Sequence, residues 1–217
     1  MNALAIVAAG GSSRRMGFDK TCGALCGVPL LTRSLQRLAA VEELHELIVA
    51  VPAGQEQDVA AACVEPFGLA ARTRIVAGGV TRVHSVWHAL QAVTTAPDVV
   101  AIHDGARPFV SVDVVRASLL AAHQHGGALV ALPVVPTIKR VAQGCVLETL
   151  DRRELWGAAT PQSFRYDAFR HAYEQLWASG VDVTTITDDA QIFERAGGTV
   201  MIVESNPENI KLTTPFD

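Results

Sequence analysis

Leu4-Ala5-Ile6-Val7-Ala8-Ala9-Gly10-Gly11-Ser12-Ser13-Arg14-Arg15-Met16-Gly17-Phe18-Asp19-Lys20 decides how the chain is read. Its first part is an unbroken apolar run, and a strand covered on both faces need not alternate, so a buried strand of a parallel sheet is expected. The run leads into two glycines, two serines, two arginines and a lysine. Glycine lets the backbone turn sharply and approach a ligand with its N–H groups aimed at phosphate oxygens. Arg14, Arg15 and Lys20 bring positive charge to the same place. An anion cradle is therefore expected at the C-terminal end of a first strand, where open α/β sheets bind ligands. Two common phosphate loops are excluded by spacing. No Gly-Lys-Ser/Thr follows at the P-loop distance, and Gly10-Gly11-Ser12 has no glycine at the third position of the dinucleotide fingerprint. A solvated basic loop is the plainer alternative, and three cations around one glycine turn weigh against it.

Strand and helix patterns alternate beyond this stretch. Pro29 opens a helix with Leu31, Leu35 and Leu38 on one face, and residues 47–51 form a short strand. A helix over 55–64 is stopped by Pro66 and Gly68, and a strand over 74–77 leads into Gly78-Gly79. A helix carrying Val83, Val86, Leu90 and Val93 follows, then a strand over 99–102, a helix over 112–125 and a strand over 129–132. The expected fold is α/β, a Rossmann-like three-layer sandwich with a mainly parallel sheet. Without a linker, repeat or composition break, residues 1–217 are expected to form a single domain. The alternation lapses between Pro133 and Pro161. There, residues 137–141 and 145–150 flank Gln143-Gly144, a hairpin turn, so a β-arm at about 134–155 is expected as an insertion. A two-stranded arm is barely stable alone, which points to packing on a second subunit. Helices near 167–178 and 188–196, the second with Thr187 as N-cap, precede a late strand over 199–203.

The composition bounds the function. A chain of 217 residues with 49% hydrophobic content can bury a substantial core. Its apolar stretches are too short to span a membrane, and Met1-Asn2-Ala3 lacks the basic start of a signal peptide, so a cytoplasmic protein without a membrane partner is expected. A net charge of -4 argues against nucleic acid, while cationic residues concentrated near a few loops keep an anionic small ligand in view. Cys22, Cys26, Cys63 and Cys145 match no zinc spacing and read as reduced, structural thiols.

Polar clusters follow several apolar strands, at 10–20, 78–85, 104–107 and 209–211, and sheets of this kind gather such clusters into one site. Asp104 suits a metal or hydroxyl ligand, since Mg²⁺ prefers carboxylate and phosphate oxygens, and it equally suits a turn before Gly105. His103 has no partners at metal-ligand spacing and reads as structural. Arg107 is expected to hold a loop, Lys139 and Arg140 to face solvent, and Asp188-Asp189 to be acids favoured at a helix start. Ser12 and Ser13 have no evident His–Asp partners. Cations, a carboxylate suited to Mg²⁺ and no protein nucleophile fit phosphoryl or nucleotidyl transfer, where positioning and charge stabilisation do most of the work.

The stretch from Ala8-Ala9-Gly10 to Lys20 resembles the signature loop of sugar-phosphate nucleotidyltransferases. Four later segments narrow the resemblance: His103-Asp104-Gly105-Ala106-Arg107-Pro108, Leu155-Trp156-Gly157-Ala158-Ala159-Thr160-Pro161-Gln162, Thr187-Asp188-Asp189-Ala190 and Asn209-Ile210-Lys211-Leu212-Thr213. In that order they resemble the 2-C-methyl-D-erythritol 4-phosphate cytidylyltransferase family of non-mevalonate isoprenoid synthesis. The resemblance implies a Mg²⁺-dependent enzyme in which the phosphate of a sugar-alcohol phosphate attacks the α-phosphorus of CTP. It implies that Arg15, Lys20 and Lys211 stabilise charge on the phosphates, with Arg14 as the alternative to Arg15. Ala8, Ala9, Gly10, Gly11, Gly79 and Ser85 would line the cytidine pocket, and Asp104 would hold the metal or the ribose region. Thr137 and Arg152 would bind methylerythritol phosphate in the other subunit's site, making the arm the contact of a homodimer, and Thr160 and Thr187 fall at further substrate-side positions. The chain departs from the family at Asp19-Lys20-Thr21, where Pro-Lys-Gln is usual, a form that also resembles molybdenum-cofactor nucleotidyltransferases. His84 stands where an acid or amide is commoner. A pentitol-phosphate cytidylyltransferase and a non-catalytic nucleotide-binding module are the competing readings.

Overall fold

The computed structural model describes residues 1–10, 22–214 and 217. The first apolar run is strand β1 (Ala3–Ala8), and its side chains alternate between two cores. Ala3, Ala5 and Val7 belong to one, Leu4 and Ile6 to the other. A short hairpin follows, β2 (Ala24–Leu25) and β3 (Val28–Pro29), then helix α1 (Leu30–Ala39) and β4 (Leu44–Val51). Next come α2 (Glu56–Val59), whose axis continues as a wider π-turn over Ala60–Val64, β5 (Thr73–Ala77), α3 (Arg82–Gln91) and β6 (Val99–Asp104). The second half comprises α4 (Val112–His125), β7 (Gly127–Pro133), β8 (Lys139–Ala142), β9 (Cys145–Thr149), β10 (Trp156–Arg165), α5 (Tyr166–Ala178), α6 (Asp189–Arg195) and β11 (Val200–Glu204).

Seven strands make one sheet in the order β11-β7-β10-β6-β1-β4-β5. β1 pairs in parallel with β4 and β6, β4 with β5, and β11 with β7. β10 runs antiparallel to both neighbours, β6 and β7, so the expected mainly parallel sheet is present with one reversed strand inside it. Leu31, Leu35 and Leu38 of α1, Val59 of α2 and Val115, Leu119 and Ala122 of α4 cover one face. Val86 and Leu90 of α3, Phe169 and Tyr173 of α5 and Ile192 and Phe193 of α6 cover the other. A central strand between two such layers has both faces dry, which is why β1 and β6 read as continuous apolar runs.

The structure corrects the sequence reading in three places. β10, a ten-residue strand in mid-sheet, falls where the pattern lapses and was not expected. The β2–β3 hairpin was not expected either. The cap of α6 is Asp188, whose carboxylate accepts a hydrogen bond from the N–H of Gln191, whereas the Thr187 N–H donates to the Gln191 side chain. The other expected elements are present, with ends shifted by a few residues at most.

β8 and β9 pair with each other in a separate two-stranded sheet, turning at Gln143 and Gly144 with φ of 50° and 78°. Positive φ at both central residues gives the turn a twist that suits two strands, and glycine adopts it without steric cost. Every residue of the two strands is exposed. No helix among the described residues is long and apolar enough to cross a membrane.

Candidate active site

The C-terminal ends of β1, β5 and β6 open into a cleft of about 290 Å³, lined by Ala8–Gly10, Leu30, Leu31, Gly79–Arg82, Ser85, Gly105, Ala106, Asp104 and Lys211. Three of the expected polar clusters therefore meet here: 78–85, 104–107 and 209–211. Ala8, Ala9, Gly10, Gly79, Ser85, Asp104 and Lys211, all expected at the site, share the cleft. Gly11, Arg14, Arg15 and Lys20 lie outside the described residues.

Local hydrogen bonds shape the wall built by residues 78–85. The Ser85 hydroxyl accepts from the Gly79 N–H at 3.0 Å and donates to the Thr81 carbonyl at 3.0 Å, so it holds the loop that precedes α3. Thr81 caps α3 by accepting from the N–H of His84. Gly79 is packed so closely against the helix that a Cβ there would lie 2.3 Å from the Cβ of His84. The glycine serves close approach, and the first turn of α3 is presented to the cleft with its positive dipole end.

Asp104 sits on the cleft floor among cations. Lys211 Nζ is 3.0 Å and Arg107 Nε 3.4 Å from its Oδ2, and Arg82 Nε is 3.6 Å from its Oδ1. Burial by itself would raise the Asp104 pKa, but Arg82, Lys211 and Arg107 hold it well below the usual carboxylate range, so Asp104 is an anion at any physiological pH. Its Oδ1 has no hydrogen-bond donor among the described residues, and no group of three or more metal-ligating side chains is found among them. Among the described residues, a divalent ion at this site would have one carboxylate, with oxygens of a ligand beside it, an arrangement Mg²⁺ commonly adopts with phosphates.

The chain near Lys211 is sewn to the end of β6. The Arg107 guanidinium donates to the Asn209 carbonyl at 2.7 Å, Asn209 donates to the Thr160 carbonyl at 2.9 Å, and the Leu212 N–H donates to the Ala106 carbonyl at 2.9 Å. Arg107 thus holds a loop, as expected. Thr160 is buried beneath the cleft and is not part of its lining. Its hydroxyl accepts from the Asp104 N–H and meets His103 Nδ1 at 3.1 Å, while His103 Nε2 lies 3.2 Å from the Arg107 carbonyl. A neutral ring donating from Nε2 and accepting at Nδ1 satisfies the whole chain of bonds. His103 is structural, as expected.

Burial pushes the His103 pKa down to about 4, against the pull of Asp104. The unfolded chain takes up this proton near pH 6.5 and the folded protein only near 4. Stability contributed by the neutral ring is complete above pH 6.5 and falls as the pH drops toward 4, by about 3 kcal/mol in all. Urea unfolding measured from pH 7 to pH 4 is expected to show this decline, and His103→Gln is expected to lose it.

Arg82 was not singled out from the sequence, although it lies within the 78–85 cluster. It contacts Asp104 and, at close range, Asp189, a carboxylate with no solvent exposure. Asp189 is therefore more than a helix-start acid. Thr187 is exposed just before α6. Thr137 and Arg152 are exposed at the base of the arm, where Arg152 donates to the Val135 carbonyl, and neither lines the cleft of its own chain. The sulfurs of Cys63 and Cys22 lie 3.5 Å apart, too far for a disulfide, and Cys26 and Cys145 are exposed thiols.

A family model for IspD, 2-C-methyl-D-erythritol 4-phosphate cytidylyltransferase, matches residues 3–217. The chain is 42% identical over 215 residues to the 2-C-methyl-D-erythritol 4-phosphate cytidylyltransferase of Symbiobacterium thermophilum, covering 98% of this chain and 88% of that one. It is 38% identical over 216 residues to the protein of the same name from Alkaliphilus metalliredigens, with the same coverage. Among solved structures, 4-diphosphocytidyl-2C-methyl-D-erythritol synthase from Anaerococcus prevotii aligns with a TM-score of 0.86 at 28% identity, over all of this chain and 92% of that one.

Proposed function

Because the chain belongs to the 2-C-methyl-D-erythritol 4-phosphate cytidylyltransferase family, we propose that the cleft around Asp104 is where CTP is bound and activated. The enzyme joins CTP and 2-C-methyl-D-erythritol 4-phosphate to give 4-diphosphocytidyl-2-C-methyl-D-erythritol and pyrophosphate. The observation that supports this placement most is Asp104, buried on the cleft floor with Lys211, Arg107 and Arg82 around it. A polyphosphate entering beside that cluster meets cations already fixed in place by Asp104, so little reorganisation is needed to stabilise its charge.

In this reading the backbone of Ala8, Ala9, Gly10, Gly11 and Gly79 lies against the nucleoside, with Ser85 shaping the wall. Lys211, together with Arg15 and Lys20, stabilises the charge that builds up at the α-phosphorus as the substrate phosphate attacks in line and pyrophosphate leaves. The chain supplies no covalent intermediate. Its work is to hold two anions together against their repulsion. Asp104 is the residue that would hold Mg²⁺ beside the CTP phosphates, and the ion would supply neutralisation of phosphate charge. Thr137 and Arg152 serve the partner subunit's cleft in a homodimer joined through the arm, with Thr187 framing the sugar-alcohol side and Thr160 supporting it from beneath through Asp104. The exposure of Val141, Val146 and Leu147 on the arm, at 53%, 61% and 55%, supports that association, because an isolated hairpin needs a surface to pack on. Residues 1–217 are read as one nucleotidyltransferase domain working in the cytoplasm.

Pyrophosphate release with Mg²⁺ tests the reading when CTP, GTP and ATP are crossed with methylerythritol phosphate and ribitol 5-phosphate. Turnover is expected only with CTP and methylerythritol phosphate. Release with ribitol 5-phosphate would keep the chemistry and change the substrate, and CTP binding without release from any pair would leave a nucleotide-binding module.

A further inference from the structure

Arg82 presents a puzzle of placement. It is a cation on the wall of a cleft read as a polyphosphate site, yet its guanidinium is turned toward protein carboxylates. The tighter of its two contacts is to Asp189, which lies at the start of α6 with no solvent exposure. The other oxygen of Asp189 accepts a hydrogen bond from Tyr173, itself fully buried, at 2.7 Å. The backbone is fixed as well, because the N–H groups of Asp189 and Ala190 both donate to Gln162 Oε1, at 3.0 and 2.9 Å. Gln162 belongs to β10, and its amide nitrogen donates to the cap residue Asp188 at 3.2 Å. Asp189 is therefore held by a strand, a helix start and a tyrosine, while it grips a residue of the cleft wall.

We infer that Asp189 is a positioning residue for nucleotidyl transfer: it anchors Arg82 so that the guanidinium stands beside Asp104 and stays off the nucleotide phosphates. The anchored guanidinium lies 3.6 Å from Asp104 Oδ1, which keeps that oxygen clear of a direct hydrogen bond. Without the Asp189 charge, Asp104 is the only carboxylate paired with Arg82 among the described residues, and the guanidinium is released toward Asp104 or toward an incoming phosphate. Movement toward a phosphate adds a ground-state contact to the nucleotide, and either movement misplaces charge for the reaction, so turnover suffers more than CTP binding. The inference rests on the reading of this cleft as the CTP site.

The test uses the full-length enzyme with Asp189→Asn and, because that change touches a buried ion pair, the milder Tyr173→Phe. Asp189→Asn is expected to lower kcat by about tenfold, the lower end of the usual effect of removing a group that orients another from behind. The Kd for CTP, measured by calorimetry, is expected to stay the same or fall. Tyr173→Phe is expected to shift kcat in the same direction by less, with the melting temperature nearly kept. In an Arg82→Gln background, Asp189→Asn is expected to cost little more, because a residue acting only through Arg82 has nothing left to position. Unchanged kcat in both variants overturns the inference. So does a loss of CTP affinity that runs parallel with kcat and melting temperature, or a fully additive loss in the double variant, since either marks a merely structural carboxylate. If the unaltered enzyme neither binds CTP nor releases pyrophosphate, the inference falls together with the reading of the cleft. Normal turnover of the unaltered enzyme beside unaffected variants sinks the inference alone.

Discussion

Lys211→Ala is expected to lose on the order of a hundredfold in kcat while keeping its fold, because it deletes one preorganised charge from the cleft. The Lys211 ammonium lies 3.0 Å from Asp104 Oδ2 and on the lining of the cleft, so its place is set before any ligand arrives. The backbone around it does not depend on the side chain. Leu212 is tied to Ala106, and Asn209 is tied to Arg107 and Thr160, by bonds that the substitution leaves intact. The melting temperature should therefore move little, which separates a catalytic loss from an unfolded one. Steady-state pyrophosphate release with CTP and methylerythritol phosphate is the measurement. Lys211→Arg should recover part of the rate, since charge returns with a different shape. Turnover near that of the unaltered enzyme in Lys211→Ala would remove Lys211 from the reaction and leave it as a partner of Asp104 only.

Phe164→Ala is expected to have the largest effect on stability, about 3–5 kcal/mol. Phe164 is completely buried on β10, stacked on Phe169 at 4.3 Å and tilted against Phe193 at 5.0 Å. It thus joins the sheet to α5 and α6 at one point, and its loss opens a cavity that three elements would have to close together. For a domain of this size the expected fall in melting temperature is about 10 °C. Urea unfolding at pH 7 gives the free energy directly. A loss below about 1 kcal/mol would show that the aromatic cluster relaxes around the gap and that β10 is fastened by its backbone pairing instead.

The parts of the fold that were legible in the sequence are those where one local signal suffices. β1, β4 and β6 are dry on both faces and announce themselves as apolar runs, and Leu31, Leu35 and Leu38 give α1 away by spacing. β10 gave no such signal. Its residues Trp156-Gly157-Ala158-Ala159-Thr160-Pro161-Gln162-Ser163-Phe164-Arg165 include glycine, alanine and proline, which are poor strand formers, and three polar side chains that are buried because they bond across the sheet, to α4 and to α6. Thr160 and Gln162 were thus visible as a motif, and their strand was not. The cleft followed the same rule. Residues in the polar clusters that follow strands, such as Gly10, Asp104 and Lys211, were readable from those clusters. Arg82 and Asp189 are 107 positions apart, and nothing in either neighbourhood signals the ion pair. Two adjacent acids before a helix look alike in sequence, and only the fold turns Asp188 outward as the cap and Asp189 inward toward Arg82.

The reversed strand has a consequence for how the protein is made. β6 and β7 do not pair with each other; β10 lies between them. During synthesis the ribosome therefore releases β1, β4, β5 and β6 long before residues 156–165 exist, and β7 likewise waits for its partner. For that interval the nascent chain carries an open sheet edge along Val99–Asp104, the same edge that ends in Asp104, with bare N–H and C=O groups ready to accept any passing strand. β10 is the late keystone that joins the two halves of the sheet, and a chain stalled before it offers partners a sticky half-sheet in place of an active site.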